Sequence, residues 1–187
     1  MSAAKAVLRD TLRRVRATLD SPYREQATAR VNTHILNHPA VCTAQLIGAY
    51  AATTVELNID PVIAHLIATH GQVFLPRVVN DRIEFCAVTT LDDLKPGYAG
   101  IREPSGPVAP VDAFDCLLVP GVGFDHTGQR LGHGAGHYDR VLTELAATCI
   151  TMGVAFTRQI VREIPTEPHD RGVQFVVTEA VTYGPFA

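Results

Sequence analysis

Short apolar segments alternate with helical segments along this chain, and this alternation restricts the folds open to it more than any other feature. Apolar runs and alternating patterns predict strands at 45–50, 73–75, 82–88, 114–119, 150–155 and 175–178. Apolar spacing and proline positions predict helices at 2–19, 21–37, 60–70 and 137–147. Strands that alternate with helices favour a mostly parallel sheet with helices on both faces. We therefore predict a Rossmann-like, three-layer α/β/α fold with a mostly parallel central sheet.

Length and composition predict one folded domain over residues 1–187. A chain of 187 residues with 47% hydrophobic and 19% charged residues can bury a core without disulfides or structural metals. The segment 95–112 is rich in proline and glycine, yet the strand pattern resumes directly after it. We interpret this segment as a long ordered loop or a crossover rather than as a linker between domains.

Charge, hydropathy and cysteine placement argue against several classes of protein. The formal net charge of −3 lacks the basic excess that is typical of a general nucleic-acid-binding protein. No apolar run approaches the ~20 residues that cross a bilayer, and the N-terminus lacks the pattern of a signal peptide. The four cysteines are scattered without a CxxC pair, as expected for reduced core residues. We expect a cytoplasmic protein that binds neither nucleic acid nor membrane.

The densest chemical signal is the glycine-rich segment at 121–140, GVGFDHTGQRLGHGAGHYDR. It holds six of the fourteen glycines and lies between a predicted strand and a predicted helix. Backbone N–H groups in such a turn, together with a helix N-terminus, form a site for an anion such as phosphate. Arg130 adds a full positive charge, and Asp139 could hold Mg²⁺ against phosphate oxygens. Because the segment is neither a Walker A loop nor a full GxGxxG motif, a glycine-rich loop without a ligand is the alternative.

The first predicted helix carries a stripe of basic residues. Lys5, Arg9, Arg13 and Arg16 are spaced four, four and three apart, so they share one side of the helix. This basic stripe borders the apolar stripe of the same helix, where cations can line a cleft and reach phosphates. A solvated basic face is the alternative interpretation.

Acidic and histidine residues elsewhere suggest weaker hypotheses. Glu56 follows the first predicted strand, at the end where sheets of this class bind ligands, and Asp170 precedes the last strand. Each could instead be a turn or cap residue. His133 and His137 are four residues apart, but the glycines around them argue against helical metal ligands, and the chain has no HExxH motif. It also lacks the GxSxG motif of a serine hydrolase.

Several segments, in this order along the chain, resemble the 5-formyltetrahydrofolate cyclo-ligase family, also called 5,10-methenyltetrahydrofolate synthetase. The segment VPGVGFDHTGQRLGHGAGHYDR is similar to the family signature PG-x-x-FD-x-x-G-x-RLG-R-G-x-G-YYD. Further similar segments are KAVLR, GAYAATTVE, FLPRV, GIREP and GVAFTRQIVREIPTEPHDRGVQFVVTE. The resemblance covers nearly the whole chain and implies a three-layer α/β domain.

The resemblance implies a role for each matching residue. Lys5 and Arg9 would contact ATP phosphates. The rest of the nucleotide site would be Arg130, Leu131, Gly132, His133, Gly134, Ala135, Gly136, His137 and Tyr138. Folate would be contacted by Ala51, Glu56, His133, Gly134, Ala135, Gly136 and His137. Mg²⁺ would be held by Asp139 and Asp170.

The implied activity is the ATP- and Mg²⁺-dependent cyclisation of 5-formyltetrahydrofolate to 5,10-methenyltetrahydrofolate, with release of ADP and phosphate. The partners would be these small molecules, with no obligate protein partner, and no residue is assigned as a general acid or base.

The sequence departs from the family pattern at a few positions. His133 stands where the family usually has Arg or Lys, and His137 where it usually has Tyr. Ala135 and Asn58 also differ. Two alternatives are a paralogue that acts on a related pterin or amide and a non-catalytic folate- or nucleotide-binding protein.

Overall fold

The computed structural model describes residues 3–186, which form an eight-stranded sheet, five helices and two smaller sheets. The helices are α1 (Ala3–Ala17), α2 (Ser21–Leu36), α3 (Pro39–Thr43), α4 (Asp60–His70) and α5 (His137–Glu144). The strands are β1 (Ile47–Gly48), β2 (Val73–Val79), β3 (Arg82–Val88), β4 (Lys95–Pro96), β5 (Arg102–Glu103), β6 (Val108–Ala109), β7 (Cys116–Pro120), β8 (Gly123–Asp125), β9 (Arg130–Leu131), β10 (Ile150–Val154), β11 (Ile160–Val161), β12 (Phe175–Val177) and β13 (Thr182–Tyr183). The ends of the predicted domain, and the predicted helix start at Ser2, lie outside the described residues.

The main sheet confirms the predicted α/β fold. Its strand order is β13-β12-β10-β7-β1-β2-β3-β6. The five central strands from β12 to β2 are parallel, and β13, β3 and β6 are antiparallel additions at the two edges. Because parallel strands need crossover connections, helices cover this sheet.

The two faces of the sheet bury separate apolar clusters. Along β7, Cys116 and Leu118 point into the cluster that contains Val31, Ile63 and other residues of α2 and α4. Leu117 and Val119 point to the opposite face, where the cluster includes Phe124 and Val141 of β8 and α5. This alternation follows from the two-residue period of a strand. No helix within residues 3–186 has the length and apolarity of a transmembrane span.

Most predicted elements are confirmed, with differences at their ends. β3 matches the predicted 82–88, but the first strand is limited to Ile47–Gly48 instead of 45–50. At its start, the backbone N–H groups of Gln45 and Leu46 donate to Asp115 Oδ2 at 2.8 and 2.9 Å instead of to a neighbouring strand. The cap of α2 is Asp20, because Asp20 Oδ1 accepts a 2.8 Å bond from the backbone N–H of Tyr23.

The glycine-rich segment contains a hairpin that the sequence pattern did not predict. Strands β11, β8 and β9 form a three-stranded sheet beside the main one. Asp125, which is buried, holds its turn: Oδ1 accepts bonds from the backbone of Thr127 (2.9 Å) and Gln129 (3.0 Å). Its Oδ2 accepts a 2.9 Å bond from the backbone of Ile164. One carboxylate therefore ties the glycine-rich segment to the chain that follows β11.

Helix α1 packs directly on this small sheet. A Cβ atom at Gly123 would lie only 2.3 Å from Leu12 Cδ1 and 3.1 Å from the Gln159 carbonyl oxygen, so a larger residue there would displace Leu12 from its packing. Leu12 belongs to a small apolar cluster with Val122, Leu131 and Ile164. This packing places the basic stripe of α1 beside the segment that follows β9.

We expect Asp125→Ala to lower the free energy of unfolding by about 3 kcal/mol or more, because each buried donor left without an acceptor costs about 1–3 kcal/mol. Urea unfolding followed by circular dichroism measures this loss. Asp112→Ala, at an exposed position, is the matched control and should change the unfolding free energy by less than about 0.5 kcal/mol. Equal midpoints for the two variants would contradict the role given to Asp125.

Candidate active site

Two adjoining cavities share the glycine-rich segment as part of their walls, and α1 and the chain before β12 line the smaller one. The smaller one, here called the cleft, has a volume of about 60 Å³ and is lined by Lys5, Arg9, Arg130, Leu131, Gly132, Gly134, Gly136, Asp139, Glu167, His169 and Asp170. The larger one, here called the cavity, has a volume of about 390 Å³. Its walls include Tyr50 and Pro120, which lie at or just beyond the carboxyl ends of β1 and β7. The site therefore occupies the edge of the sheet predicted from its parallel order.

Three buried cations line the cleft. Lys5, Arg9 and Arg130 are 5%, 6% and 6% exposed, so each needs a compensating partner. Lys5 Nζ donates to Glu167 Oε2 at 2.9 Å and also to Asp170 Oδ2. Arg130 Nη2 donates to Asp139 Oδ1 at 2.9 Å. Opposite charges thus meet in pairs inside the cleft.

The basic stripe of α1 is only partly a solvated face. Lys5 and Arg9 are buried in the cleft, and Arg9 Nε donates to the Gly132 carbonyl at 2.8 Å. Arg16 is also buried but lines neither the cleft nor the cavity, whereas Arg13 is exposed. The interpretation as a solvated face therefore applies to one of the four residues.

The protonation state of Lys5 follows from its two acidic neighbours. Burial alone would lower the pKa of the Lys5 ammonium, but the hydrogen bonds to Asp170 and Glu167 raise it above its ordinary value. Burial would likewise raise the pKa of Asp170, but the bond from Lys5 holds it below its ordinary value. The ion pair is therefore fully charged near neutral pH.

The turn before α5 presents backbone groups to the cleft. Gly136, the cap of α5, has φ of +69°, and Gly134 has φ of +114°, so both lie in the region that favours glycine. Gly136 has no side chain that could cap the first N–H groups of α5. In the same wall, Arg130 Nε is buried and has no hydrogen-bond partner among residues 3–186. These donors fit an anion such as a phosphate group.

The cavity combines apolar walls with partly buried acids. Its apolar lining includes Ile83, Ile101 and the ring of Tyr98, and its acids include Glu56 and Glu103. The Tyr138 hydroxyl, which is also in this wall, is buried without a partner in the described part of the chain. A pocket with a few polar groups on apolar walls is typical of a site for a small organic molecule.

Two histidines of the glycine-rich segment each contact an acid. His133 Nε2 lies 3.1 Å from Glu56 Oε1 in the cavity wall, and His137 Nε2 lies 2.9 Å from Oδ1 of the exposed Asp81, between β2 and β3. Burial would raise the pKa of Glu56, but the bonds from His133 and Thr53 lower it below its ordinary value. The bond from His137 likewise lowers the pKa of Asp81. The glycine-rich segment is therefore held at two points by contacts to distant acids.

The structure gathers all the sequence-predicted site residues around these two spaces. The cleft contains Lys5, Arg9, Asp170 and much of 130–139, and the cavity contains Ala51, Glu56, His133, Ala135, His137 and Tyr138. Sequence reasoning missed Glu167 and His169 in the cleft and Tyr50, Tyr98 and Glu103 in the cavity. The acidic and histidine residues flanking Asp170 in PTEPHD were the available signal for the first two.

The donor set of the cleft fits a divalent cation. Ligand atoms of Glu167, His169 and Asp170 all lie within 4.8 Å of one another. Carboxylate oxygens are the ligands that Mg²⁺ prefers in proteins. Asp139 lines the same cleft but is paired with Arg130 and lies outside that group. His133 and His137 do not belong to any potential metal group found among residues 3–186.

Comparisons with known proteins agree with this geometry. The model of the 5-formyltetrahydrofolate cyclo-ligase family matches residues 1–179. A 5-formyltetrahydrofolate cyclo-ligase from Haemophilus influenzae is 31% identical over 170 residues, covering 87% of this chain and 91% of the relative. Another, from Mycolicibacterium smegmatis, is 33% identical over 138 residues, covering 70% of this chain and 71% of the relative.

Solved structures lead to the same family. The NMR structure of Aquifex aeolicus 5,10-methenyltetrahydrofolate synthetase superposes with a TM-score of 0.86 at 28% identity, covering 96% of this chain and 92% of that one. A 5,10-methenyltetrahydrofolate synthetase from Mycoplasma pneumoniae, at 22% identity and a TM-score of 0.77, covers 94% of this chain and 98% of its own and shares the fold. Together with the family match, these likenesses show that the chain belongs to the 5-formyltetrahydrofolate cyclo-ligase family.

Proposed function

We propose that this chain catalyses the ATP-dependent cyclisation of 5-formyltetrahydrofolate to 5,10-methenyltetrahydrofolate, with release of ADP and phosphate. The observation that carries the proposal is the shared wall between the cleft and the cavity. Arg130, Gly132, Gly136 and Asp139 line both spaces. A phosphate in the cleft and an organic substrate in the cavity would therefore meet across this wall, as group transfer between them requires.

The cleft suits the phosphates of ATP. Lys5, Arg9 and Arg130 supply fixed charge, and Arg130 Nε is a buried donor without a protein acceptor. These three cations are matched by Asp139, Glu167 and Asp170, so the cleft itself adds little net positive charge. We propose that Asp139 and Asp170 hold Mg²⁺, which when bound would neutralise charge on the phosphate oxygens.

The cavity suits a reduced pterin. Its volume of about 390 Å³ lies within the range of pockets that bind small organic molecules. Glu56 offers a buried carboxylate to ring N–H donors, and Ala51, Ala135 and Tyr138 provide wall area. His133, Gly134, Gly136 and His137 would contact the substrate from the glycine-rich segment.

The reaction chemistry explains why the site residues would act mainly by positioning the two substrates. A formamide carbonyl is a poor electrophile and its oxygen is a poor leaving group, so that oxygen must first be activated. We propose that the formyl oxygen at N5 attacks the γ-phosphorus of ATP and displaces ADP. N10 then attacks the activated carbon and loses its proton, and phosphate leaves with the former formyl oxygen and takes up that proton, which gives the methenyl bridge. Lys5, Arg9 and Arg130 would hold the phosphates in line and stabilise their charge, and no general acid or base is assigned.

The deciding experiment mixes the purified protein with ATP, Mg²⁺ and 5-formyltetrahydrofolate. We expect near-ultraviolet absorbance of methenyltetrahydrofolate to appear, with one ADP formed per product and no product when ATP is omitted. ATP turnover with a related pterin but not with this substrate would indicate a paralogue. Binding without any turnover would indicate a non-catalytic protein. We place this activity in the cytoplasm, in keeping with four free cysteines, three of them buried.

Arg9→Ala should raise the apparent KM for ATP roughly 10- to 150-fold, because a charge-assisted contact is worth about 1.5–3 kcal/mol. The KM for the folate should change much less. Steady-state kinetics with each substrate varied in turn measure both values. Arg14→Ala, which removes an exposed cation from the same helix, is the control. An unchanged KM for ATP in Arg9→Ala would remove Arg9 from the phosphate site.

His133→Arg should bind 5-formyltetrahydrofolate more tightly than the unmodified protein at pH 8, because the arginine places a permanent positive charge at the cavity facing an anionic substrate. A partly exposed charge contributes up to about 1 kcal/mol, which is roughly fivefold in affinity. Glu56 is charged at this pH, since its pKa is lowered. Arg13, which donates to the His133 carbonyl at 3.4 Å, stays cationic as well.

Calorimetric titrations with 5-formyltetrahydrofolate at pH 8 measure this gain in affinity. His65→Arg, at an exposed position on α4, is the control and should keep the affinity of the unmodified protein. Equal affinities for the unmodified protein and His133→Arg would contradict a contact between this position and the substrate.

A further inference from the structure

The ammonium group of Lys5 is the cleft cation that contacts two carboxylates. Its side chain is 6% exposed, and it donates both to Glu167 Oε2 at 2.9 Å and to Asp170 Oδ2. Asp170 Oδ2 also accepts a bond from the backbone of Glu167, so this carboxylate is fixed from two directions. A positive charge thus already lies between the two carboxylates.

The same two carboxylates form part of the potential metal group. Oxygens of Glu167 and Asp170 and a ring nitrogen of His169 lie within 4.8 Å of one another, a spacing that suits a single divalent ion. The cleft also points independently to a charged ligand, because the buried Arg130 Nε has no protein acceptor. The site therefore combines ligands for a cation with a donor, Arg130 Nε, that has no protein acceptor and could bind the accompanying anion.

We propose that Lys5 occupies the cation site while the nucleotide is absent, and that Glu167 is a metal-binding carboxylate in addition to Asp170. When a metal–nucleotide complex enters the cleft, the metal takes the two carboxylates and Lys5 moves to a phosphate oxygen. This inference rests on the proposed function and deepens it. It assigns a role to Glu167 and makes Lys5 an exchangeable occupant of the metal site.

Electrostatics give the reason for the exchange. An ammonium and a divalent ion that share the same carboxylate oxygens would repel each other at short range in a partly buried site. With Lys5 in place, the carboxylates are never left buried without a cation. The long, flexible stem of lysine lets its charge move to a new partner without moving α1. The metal alone should therefore bind weakly, and metal and nucleotide should strengthen each other's binding.

The experiment measures Mn²⁺ binding alone, without nucleotide or folate, from the electron paramagnetic resonance signal of the free ion. Lys5→Met should bind Mn²⁺ about tenfold more tightly than the unmodified protein, because the competing cation is gone. The double variant Lys5→Met/Glu167→Gln should lose that gain. Lys95→Met removes the only other lysine of the chain, at an exposed position in β4, and should not change Mn²⁺ affinity.

Unchanged Mn²⁺ affinity in Lys5→Met would overturn the exchange, and an unchanged gain in the double variant would remove Glu167 from the site.

A second experiment uses the unmodified protein, in case Lys5→Met does not fold. With ¹⁵N-labelled lysine, the Nζ resonance of Lys5 should shift when Mg²⁺ and ATP are added together, whereas that of Lys95 should not. A static Lys5 resonance in the presence of bound nucleotide would contradict the proposal. The Mn²⁺ measurement needs no turnover. It can therefore succeed or fail independently of whether the protein catalyses the proposed reaction.

Discussion

The pairing of opposite charges inside the cleft is the interaction on which the site depends. Lys5 joins α1 to Glu167 and Asp170, which are more than 160 residues away along the chain. Arg130 joins β9 to Asp139 in the first turn of α5. The buried Lys5 and Arg130 side chains would be costly to bury without these acids, so the helix, the glycine-rich segment and the chain before β12 have to fold together. The geometry of the proposed phosphate site thus follows from a requirement of charge compensation.

The scaffold around this pairing positions the cations through residues that do not line the cleft. The main sheet supplies the edge at which the cavity opens, and the small sheet of β11, β8 and β9 supports α1. Asp125 connects the turn of that small sheet to the backbone of Ile164, and Gly123 leaves room for Leu12. Lys5 and Arg9 reach the cleft because α1 lies directly on the segment that carries Arg130. The distances between the charged groups of the cleft are therefore fixed by apolar packing and by backbone hydrogen bonds outside the cleft.

Local signals made much of this arrangement predictable from the sequence. The glycines of 132–136, Arg130 and Asp139 follow a predicted strand within one segment, and α4 and β3 have clear apolar periods. Features that depend on distant contacts were not predictable. Asp115 accepts bonds from the N–H groups of Gln45 and Leu46 before β1, and the two-residue strands β9 and β11 exist only through pairing with β8. The roles assigned to single residues of the site stay predictions, because they depend on ligands rather than on the fold.

The chain departs from its family's signature at His133 and His137, and at both positions the structure provides an acid as partner. Glu56 Oε2 already accepts bonds from the Thr53 backbone and hydroxyl at 3.0 Å, and Oε1 faces His133. A substrate donor that binds Oε1 must therefore share or replace the histidine contact. The net gain in binding is the difference between the new bond and the one it displaces, not the full strength of a bond to a free carboxylate. Since Asp81 is exposed and Glu56 is buried, this competition acts more strongly at His133 than at His137.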